Sequence, residues 1–310
     1  MNKIKLKVIA VSLLVMTLIS IGGVTASAAT VAPNSLAQMN SSLDVDGREY
    51  KYLKSITNTR LWNYTRPSVT VGSSGLSVRG VVINGIYYIP FRAAASAISG
   101  STYSYDSKTK TATMRAPGLE IVAGSGCYVT YANGRTLFNT TPNVIMSDGR
   151  MYIPAAVFAK AVGMRVDATD SRITISGSYT PLLSADKFYR SDEVFWLARI
   201  IHAESRGEAL LGQIAVGNVV LNRVKSAYYP NTIYGVIFDR KYGVQFSPVL
   251  DGTIYNTPGY SATLAAKICL EGYDVSEGAF FFLNVSLATS SWIPRTREYA
   301  FTIGNHDFYK

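Results

Sequence analysis

The segment ARIIHAESRGEALLGQIAVGNVVLNRV, residues 198–224, places two apolar runs on either side of the polar stretch Glu204-Ser205-Arg206-Gly207-Glu208. The run before this stretch repeats apolar residues with the period of one helical face, at Val194, Leu197, Ala198 and Ile201. We therefore predict one helix that begins with Ser191 as its N-cap and ends at Glu204. A second helix is predicted from about Glu208 to Lys225, after a break at Gly207.

Glu204 would lie in the last turn of the first helix, where apolar neighbours and the negative helix end both disfavour ionisation and raise the pKa. A general acid that cleaves a glycosidic bond needs such a raised pKa, because it must carry a proton at neutral pH. At pH 7 a carboxyl group with a pKa of about 4.3 is roughly 0.2% protonated, and one with a pKa near 6 is roughly 10% protonated. Glu208 has a plainer explanation as an acid in the first turn of the second helix, with Arg206 as its partner. From spacing alone, a solvated turn remains an alternative for both glutamates.

The N-terminus has the composition of a secretory signal. Lys3, Lys5 and Lys7 precede the apolar run from Val8 to Val24, and Ala26-Ser27-Ala28 offers small residues for cleavage. We predict that residues 1–28 are removed, so that the protein acts outside the cytoplasm with no stable membrane anchor. A retained anchor is the alternative.

Charge and the scarce metal-binding residues narrow the function classes. The net charge is +10, which suits an anionic wall polymer such as peptidoglycan with teichoic acid, with ordinary solubility as an equal alternative. Two cysteines, Cys127 and Cys269, cannot form a disulfide framework, and two histidines cannot form a His-rich metal site. We expect no cofactor, no metal and no nucleic acid partner, and we expect a monomer.

One pattern occurs twice in the first half of the chain, at residues 86–114 and 151–175. Each copy reads as a strand, a short helix after a proline, a glycine stop and a hairpin. Because neither copy can bury its helix alone, we predict one small α+β domain at residues 65–178. Residues 29–64 are polar and weakly patterned, and we interpret them as a linker or irregular lead-in.

This repeated region resembles the N-terminal domain first described in copper amine oxidases. The resemblance covers about residues 65–177, which contain no histidine, so the name implies no copper site here. It implies an accessory or wall-contacting role, with a passive spacer as the alternative.

The remaining residues, 179–310, resemble the SleB-type spore-cortex-lytic enzyme and cell wall hydrolase family. The resemblance covers about residues 192–310 and rests on an ordered set of motifs: residues 198–226, YPNTIYGVI at 229–237, QFSPV at 245–249, FFFLN at 280–284 and IGNHDFY at 303–309. It implies a peptidoglycan lytic transglycosylase with a compact lysozyme-like fold and a single catalytic glutamate, here Glu204. It also implies peptidoglycan glycan strands as the partner, and the cell wall or spore cortex as the place of action. The family element G-E-A-R-G-E stands in this chain with Ala203 and Ser205 as small replacements. The predicted fold class for the whole chain is α+β.

Other polar and aromatic side chains are candidates for substrate binding. Gln245 and Ser247 suit sugar N-acetyl or hydroxyl groups, and Tyr234 and Trp292 could stack on pyranose rings, whereas we assign Phe282 to the core. The remaining candidates are Asn284, Arg206 and Glu208. We interpret His202 and His306 as structural residues.

The number of acids bears on the mechanism, because glycoside hydrolases generally need a second carboxylate. Asp239, Asp251 and Asp274 are available, but each has turn-like neighbours. A lone acid fits transglycosylation, in which the muramic acid 6-hydroxyl attacks and leaves a 1,6-anhydro end. A water-using muramidase with a base such as Asp251, and a non-catalytic wall-binding protein, stay open as alternatives.

Overall fold

The computed structural model describes residues 64–310 apart from residues 146–147, 242 and 289–290. The predicted signal peptide and nearly all of the predicted linker lie outside this range. Within the described residues, no helix is both long and apolar enough to cross a bilayer.

Sixteen strands occur in the described part of the chain. In chain order they are β1 (Ser68–Val71), β2 (Ser74–Gly75), β3 (Val81–Ile83), β4 (Ile86–Pro90), β5 (Thr102–Asp106), β6 (Thr111–Ala116), β7 (Leu119–Gly124), β8 (Val129–Ala132), β9 (Arg135–Phe138), β10 (Val144–Ile145), β11 (Met151–Pro154), β12 (Arg165–Ala168), β13 (Arg172–Ser176), β14 (Phe281–Asn284), β15 (Tyr299–Ile303) and β16 (His306–Tyr309).

The helices belong mostly to the second half of the chain. They are α1 (Phe91–Ser96), α2 (Ala155–Val162), α3 (Ala185–Phe188), α4 (Ser191–Ser205), α5 (Leu210–Lys225), α6 (Ile233–Ile237), α7 (Pro248–Asp251), α8 (Tyr260–Leu270) and α9 (Trp292–Thr296), with a 3₁₀ turn at Thr253–Tyr255. The predicted α+β class is confirmed, as a strand-rich region followed by a helical one.

The two predicted repeats are present. In each copy a strand runs into a helix capped by a proline, Pro90 before α1 and Pro154 before α2. Strands β4 and β11 pair antiparallel, with Ile89 opposite Ile153, which places the two helices in one apolar core. Helix α2 ends at Gly163, whose φ of 68° is the left-handed conformation that glycine adopts without strain.

The hairpins of the two repeats enter different sheets. β5 and β6 begin the five-stranded sheet β5-β6-β7-β8-β9. β12 and β13 join the sheet β12-β13-β1-β2, in which β1 and β13 are parallel. The parallel pair ties the start of the described chain to the end of the second repeat, so the strand-rich region closes on itself.

Three helices, α4, α5 and α8, pack on one another to form the core of the helical region. Gly217 on α5 allows the close approach of the helices, because a Cβ there would lie 2.7 Å from Cys269 Sγ and 2.8 Å from Ile201 Cδ1. Three predicted boundaries were wrong by one or two residues. Arg190, not Ser191, is the N-cap of α4, which ends at Ser205 rather than Glu204. Helix α5 begins at Leu210, so Glu208 lies before it.

The two regions also contact each other, which the sequence did not indicate. Glu271, just after α8, has a side chain that is 3% exposed. It accepts two hydrogen bonds from the Arg135 guanidinium in β9, at 2.8 and 2.7 Å, and one from the Tyr189 hydroxyl at 2.7 Å. Lys160 Nζ lies 3.0 Å from the same carboxylate. Burial acts to raise the pKa of Glu271, but hydrogen bonds from Arg135, Tyr189 and Lys160 together lower it.

We expect Glu271→Gln to destabilise the chain by about 3–5 kcal/mol at pH 7, because it leaves the buried Arg135 without a countercharge. Since the folded-state pKa of Glu271 is lowered, its contribution is present above the ordinary value of 4.5 and is lost as the pH falls through the lowered pKa. Urea unfolding at pH 7 and pH 3 measures both effects. The exposed Glu277→Gln is the control, and an equal loss in the two variants would contradict a role for Glu271.

Candidate active site

Glu204 is the penultimate residue of α4 and lines a cavity of about 820 Å³ in the helical region. The aromatic lining of this cavity comes from four segments: Tyr228 and Tyr229 after α5, Phe246 before α7, Phe281 and Phe282 in β14, and Trp292 at the start of α9. A carboxyl group facing aromatic rings loses much of its hydration, and this disfavours its charged form.

Burial raises the pKa of the Glu204 carboxyl group to about 7. The negative charge of Asp251 adds to this increase, and the positive charge of Arg223 opposes it. The raised pKa predicted from the sequence is therefore confirmed. At neutral pH the group can both donate a proton and take one back, which general acid–base catalysis requires.

Three of the predicted binding residues share this cavity with Glu204. Gln245 and Ser247 lie on the segment before α7, and Trp292 begins α9. Trp292 is 51% exposed, and its ring meets that of Phe281 edge-on at 6.1 Å between centroids. The Gln245 side-chain amide donates to Gly243 O at 3.0 Å, which holds it within its own loop.

Two others lie elsewhere. Tyr234, on α6, is 53% exposed and packs against Trp196 and Phe238, at 5.2 and 4.5 Å between ring centroids. It is absent from the lining of the Glu204 cavity. Asn284 ends β14 opposite His306, and its side-chain oxygen accepts from Ser286 N at 3.1 Å. The Asn284 side chain therefore closes the turn after β14 and is absent from the cavity lining.

Glu208 contacts the C-terminal hairpin rather than the cavity. Its carboxylate accepts from Asn305 N at 3.1 Å and Asn305 Nδ2 at 2.9 Å, and it lies 3.4 Å from His306 Nδ1. Gly304 leaves room for it, because a Cβ there would overlap the Glu208 carboxylate. The prediction that Glu208 lies in the first turn of a helix was wrong, because α5 begins two residues later and the Glu208 carboxylate binds a hairpin that is distant in sequence.

The remaining predicted residues near α4 have separate positions. Arg206 is exposed at the C-cap of α4 and is absent from the cavity lining. His202 accepts a hydrogen bond from Gly259 N at 3.3 Å, which links α4 to the start of α8. His306 is 5% exposed within β16.

Of the three aspartates considered as second acids, Asp239 lines the cavity. Asp251 does not, and its carboxylate accepts from Thr253 N and Oγ1 at 2.8 and 2.6 Å. Those bonds lower the pKa of Asp251 and keep it charged. Asp274 accepts from Ser276 in a turn, as its neighbours predict.

Sequence reasoning missed the two arginines of the cavity, Arg223 and Arg297. Arg223 stands near the end of α5, where a basic residue is ordinarily explained by the helix dipole. In the structure it is 5% exposed and its Nε donates to Phe280 O at 2.8 Å. No sequence pattern distinguishes this buried arginine from a solvated one.

Possible metal ligands are dispersed. Nowhere among the described residues do three or more His, Cys, Asp or Glu side chains come together as a metal site.

Both regions match known families. Residues 207–309 match the Cell Wall Hydrolase family, and residues 71–176 match the copper amine oxidase N-terminal domain. The first match begins three residues after Glu204, so Glu208 lies inside it and Glu204 does not.

The helical region is similar to curated proteins and solved structures. The spore cortex-lytic enzyme of Bacillus cereus is 43% identical over 122 residues, which are 39% of this chain and 46% of that protein. The enzyme of Oceanobacillus iheyensis is 37% identical over 131 residues, 42% of this chain and 46% of that protein. The chain thus spans about half the length of these curated relatives.

Among solved structures, the catalytic domain of the germination-specific lytic transglycosylase SleB from Bacillus anthracis is 43% identical, with 39% of this chain and 97% of that domain covered and a TM-score of 0.36. Both resemblances recognised in the sequence are confirmed. The chain carries a region similar to the copper amine oxidase N-terminal domain at residues 71–176, followed by a cell wall hydrolase domain similar to that of SleB spore cortex-lytic enzymes.

Proposed function

We propose that this protein is a peptidoglycan lytic transglycosylase that acts outside the cytoplasm on the cell wall or spore cortex, with Glu204 as its catalytic acid and base. The observation that carries the proposal is a buried carboxyl group with a pKa of about 7 in a large aromatic cavity. The similarity to spore cortex-lytic enzymes supports the substrate class.

The reaction follows from the proton that Glu204 holds. Glu204 donates it to the glycosidic oxygen as the bond from that oxygen to C1 of muramic acid breaks. The 6-hydroxyl oxygen of the same sugar then bonds to C1, and its proton returns to the Glu204 carboxylate. The positive charge of Arg223 favours that carboxylate between the two steps. One residue serves both steps, and the product is a 1,6-anhydro end.

A water-using muramidase is the second candidate, and Asp239 is the observation that favours it. Because Asp239 lines the same cavity as Glu204, it is better placed than Asp251 to act on a water molecule. Mass spectrometry of digested peptidoglycan separates the two reactions, since transglycosylation gives anhydro-muropeptides and hydrolysis gives reducing ends.

We propose that the N-terminal domain holds the enzyme on the anionic wall. Residues 64–178 contain eleven Lys and Arg but five Asp and Glu, whereas residues 179–310 contain twelve of each. A groove of about 660 Å³ in the N-terminal domain is lined by Arg92, Arg150, Tyr103 and Tyr105, with no carboxylate in its described lining. A positively charged accessory domain concentrates the neutral hydrolase region on an anionic polymer.

We expect Glu204→Gln to lower the rate of muropeptide release by about 10⁴-fold or more, the upper end for general acid–base catalysis, because one proton donor serves both steps. Glu208→Gln is the matched control. It keeps most of the activity, because Glu208 binds the hairpin turn at Asn305 outside the cavity. A dead Glu208 variant beside an active Glu204 variant would transfer the acid to Glu208.

We expect activity to fall as the pH rises above about 7, because Glu204 must be protonated to start the reaction. Asp251→Asn shifts this limb of the profile to lower pH, because it removes a negative charge that raises the pKa of Glu204. A rate profile from pH 5 to 9 tests both statements. Complete loss of activity in Asp251→Asn would instead support Asp251 as a catalytic base.

The pH dependence of folding stability gives an independent measure of the raised pKa of Glu204. The folded-state pKa of about 7 lies above the ordinary value of 4.5, so folding binds a proton between these two pH values. The stability of the wild-type protein therefore falls as the pH rises from 4.5 through 7. Thermal melts of Glu204→Gln and wild type are therefore expected to agree near pH 4 and to favour the variant at pH 8.

We expect the double variant Lys108→Gln/Arg165→Gln to bind purified cell walls less than wild type at low salt, because both side chains are exposed charges of the N-terminal domain. The control Lys187→Gln/Lys225→Gln makes the same change in net charge on exposed sites of the hydrolase region. Cosedimentation with walls measures the bound fraction. Equal losses in the two double variants would remove the targeting role.

A further inference from the structure

The guanidinium of Arg223 is buried beside Glu204 with part of its hydrogen-bonding capacity unused. Arg223 is 5% exposed, and its Nε is satisfied by Phe280 O at 2.8 Å. Its Nη1 has no hydrogen-bond partner among the described residues. The rings of Tyr229 and Phe246 hold the group from the sides, with Cζ 5.2 and 5.1 Å from their centroids.

A second arginine of the same cavity shows the same feature. Arg297 Nε is buried and finds no acceptor in the described part of the chain. Its guanidinium lies over the rings of Phe281 and Trp292, with Cζ 4.7 and 4.8 Å from the centroids. Stacking on two aromatic faces fixes the plane of a guanidinium and leaves its edge for an oxygen acceptor.

The charged residues that line the cavity carry one net positive charge when Glu204 is protonated, which one negative group of a ligand would neutralise. Its charged lining residues are Arg223, Arg297, Glu204 and Asp239. When Glu204 carries its proton, as the first catalytic step requires, two guanidinium groups face one carboxylate. A buried N–H without an acceptor is unfavourable, and a carboxylate oxygen is the partner that arginine binds best.

We propose that Arg223 and Arg297 form a carboxylate-binding subsite in the catalytic cavity, which holds an acidic group of the glycan strand being cleaved. This proposal rests on the proposed function of the site. Two groups of peptidoglycan offer the same chemistry: the lactyl carboxylate of a muramic acid without a peptide, and the carboxylates of a peptide stem. Bound there, either group neutralises the cavity and orients the strand relative to Glu204.

Arg297→Gln is the variant that tests the subsite, because Arg297 is less buried than Arg223 and its loss leaves α5 unchanged. Arg295→Gln is the matched control, since Arg295 is an exposed arginine of α9, two residues before Arg297, and is absent from the cavity lining. Arg223→Lys, which keeps the charge but not the planar fork, is a second probe.

Binding is measured first, with every variant made in the inactive Glu204→Gln background. The probes are purified glycan strands with peptide stems, strands with the stems removed, and both strands after amidation of their carboxylates with methylamine. We expect amidation to weaken binding about tenfold or more, and Arg297→Gln to cause a similar loss on untreated strands, as for one charge-assisted contact. Arg297→Gln should be insensitive to amidation, and Arg295→Gln should behave like the parent protein.

The response to stem removal identifies the carboxylate. If stripped strands keep the sensitivity to amidation, the lactyl carboxylate is the ligand, and if only intact strands show it, the stem is. Equal sensitivity to amidation in the parent and Arg297→Gln proteins would overturn the subsite, as would no sensitivity in either.

Active enzyme then gives a separate readout of the proposed function. We expect Arg297→Gln to raise KM more than it lowers kcat and to yield the same anhydro product as wild type. Because binding is measured without catalysis, a wild-type enzyme that makes reducing ends, or no cleavage, would contradict the transglycosylase proposal while leaving the test of the subsite intact.

Discussion

Keeping one carboxyl group largely out of water, within reach of a cavity, is the constraint on which the site depends. Glu204 stands one residue from the end of α4, and the packing of α4 against α5 and α8 fixes that end. Aromatic residues from four separate segments line the same cavity. Burial is the largest cause of the raised pKa, so the chemistry depends on the tertiary packing and not on the glutamate alone.

Glu271 shows the opposite outcome for the same residue type. It is also buried, but Arg135, Tyr189 and Lys160 supply enough hydrogen bonds and charge to lower its pKa below the ordinary value. For Glu204, the positive charge of Arg223 acts to lower the pKa, but burial and the negative charge of Asp251 raise it. The number and sign of the partners help to separate a structural carboxylate from one that exchanges protons near neutrality.

The difference in charge between the two regions agrees with the proposed roles, wall binding for the N-terminal domain and catalysis for the hydrolase region. The N-terminal domain carries an excess of basic residues, whereas the hydrolase region is balanced. Their contact at Glu271 uses two basic residues of the N-terminal domain, Arg135 and Lys160, and leaves exposed ones such as Lys108 and Arg165 for a polymer. We infer that the excess of basic residues in the N-terminal domain serves both the contact with the hydrolase region and the proposed contact with the wall.

Much of the local structure and the main candidate acid could be predicted from the sequence. Period 3.6 predicted α4 and α5, and the proline and glycine positions predicted both repeats. The position of Glu204 at a helix end made it a candidate, and the family resemblance selected it over a solvated turn. The sequence could not place residues whose partners are distant in the chain. Glu208 was assigned to a helix start, but Asn305, 97 positions away, binds it. Arg223 and Arg297 became visible as cavity residues only in the folded chain, where both guanidinium groups lie over the ring of Phe281. Periodicity and capping act over a few residues, whereas burial and ion pairing depend on which segments meet in space, and only the tertiary structure decided that.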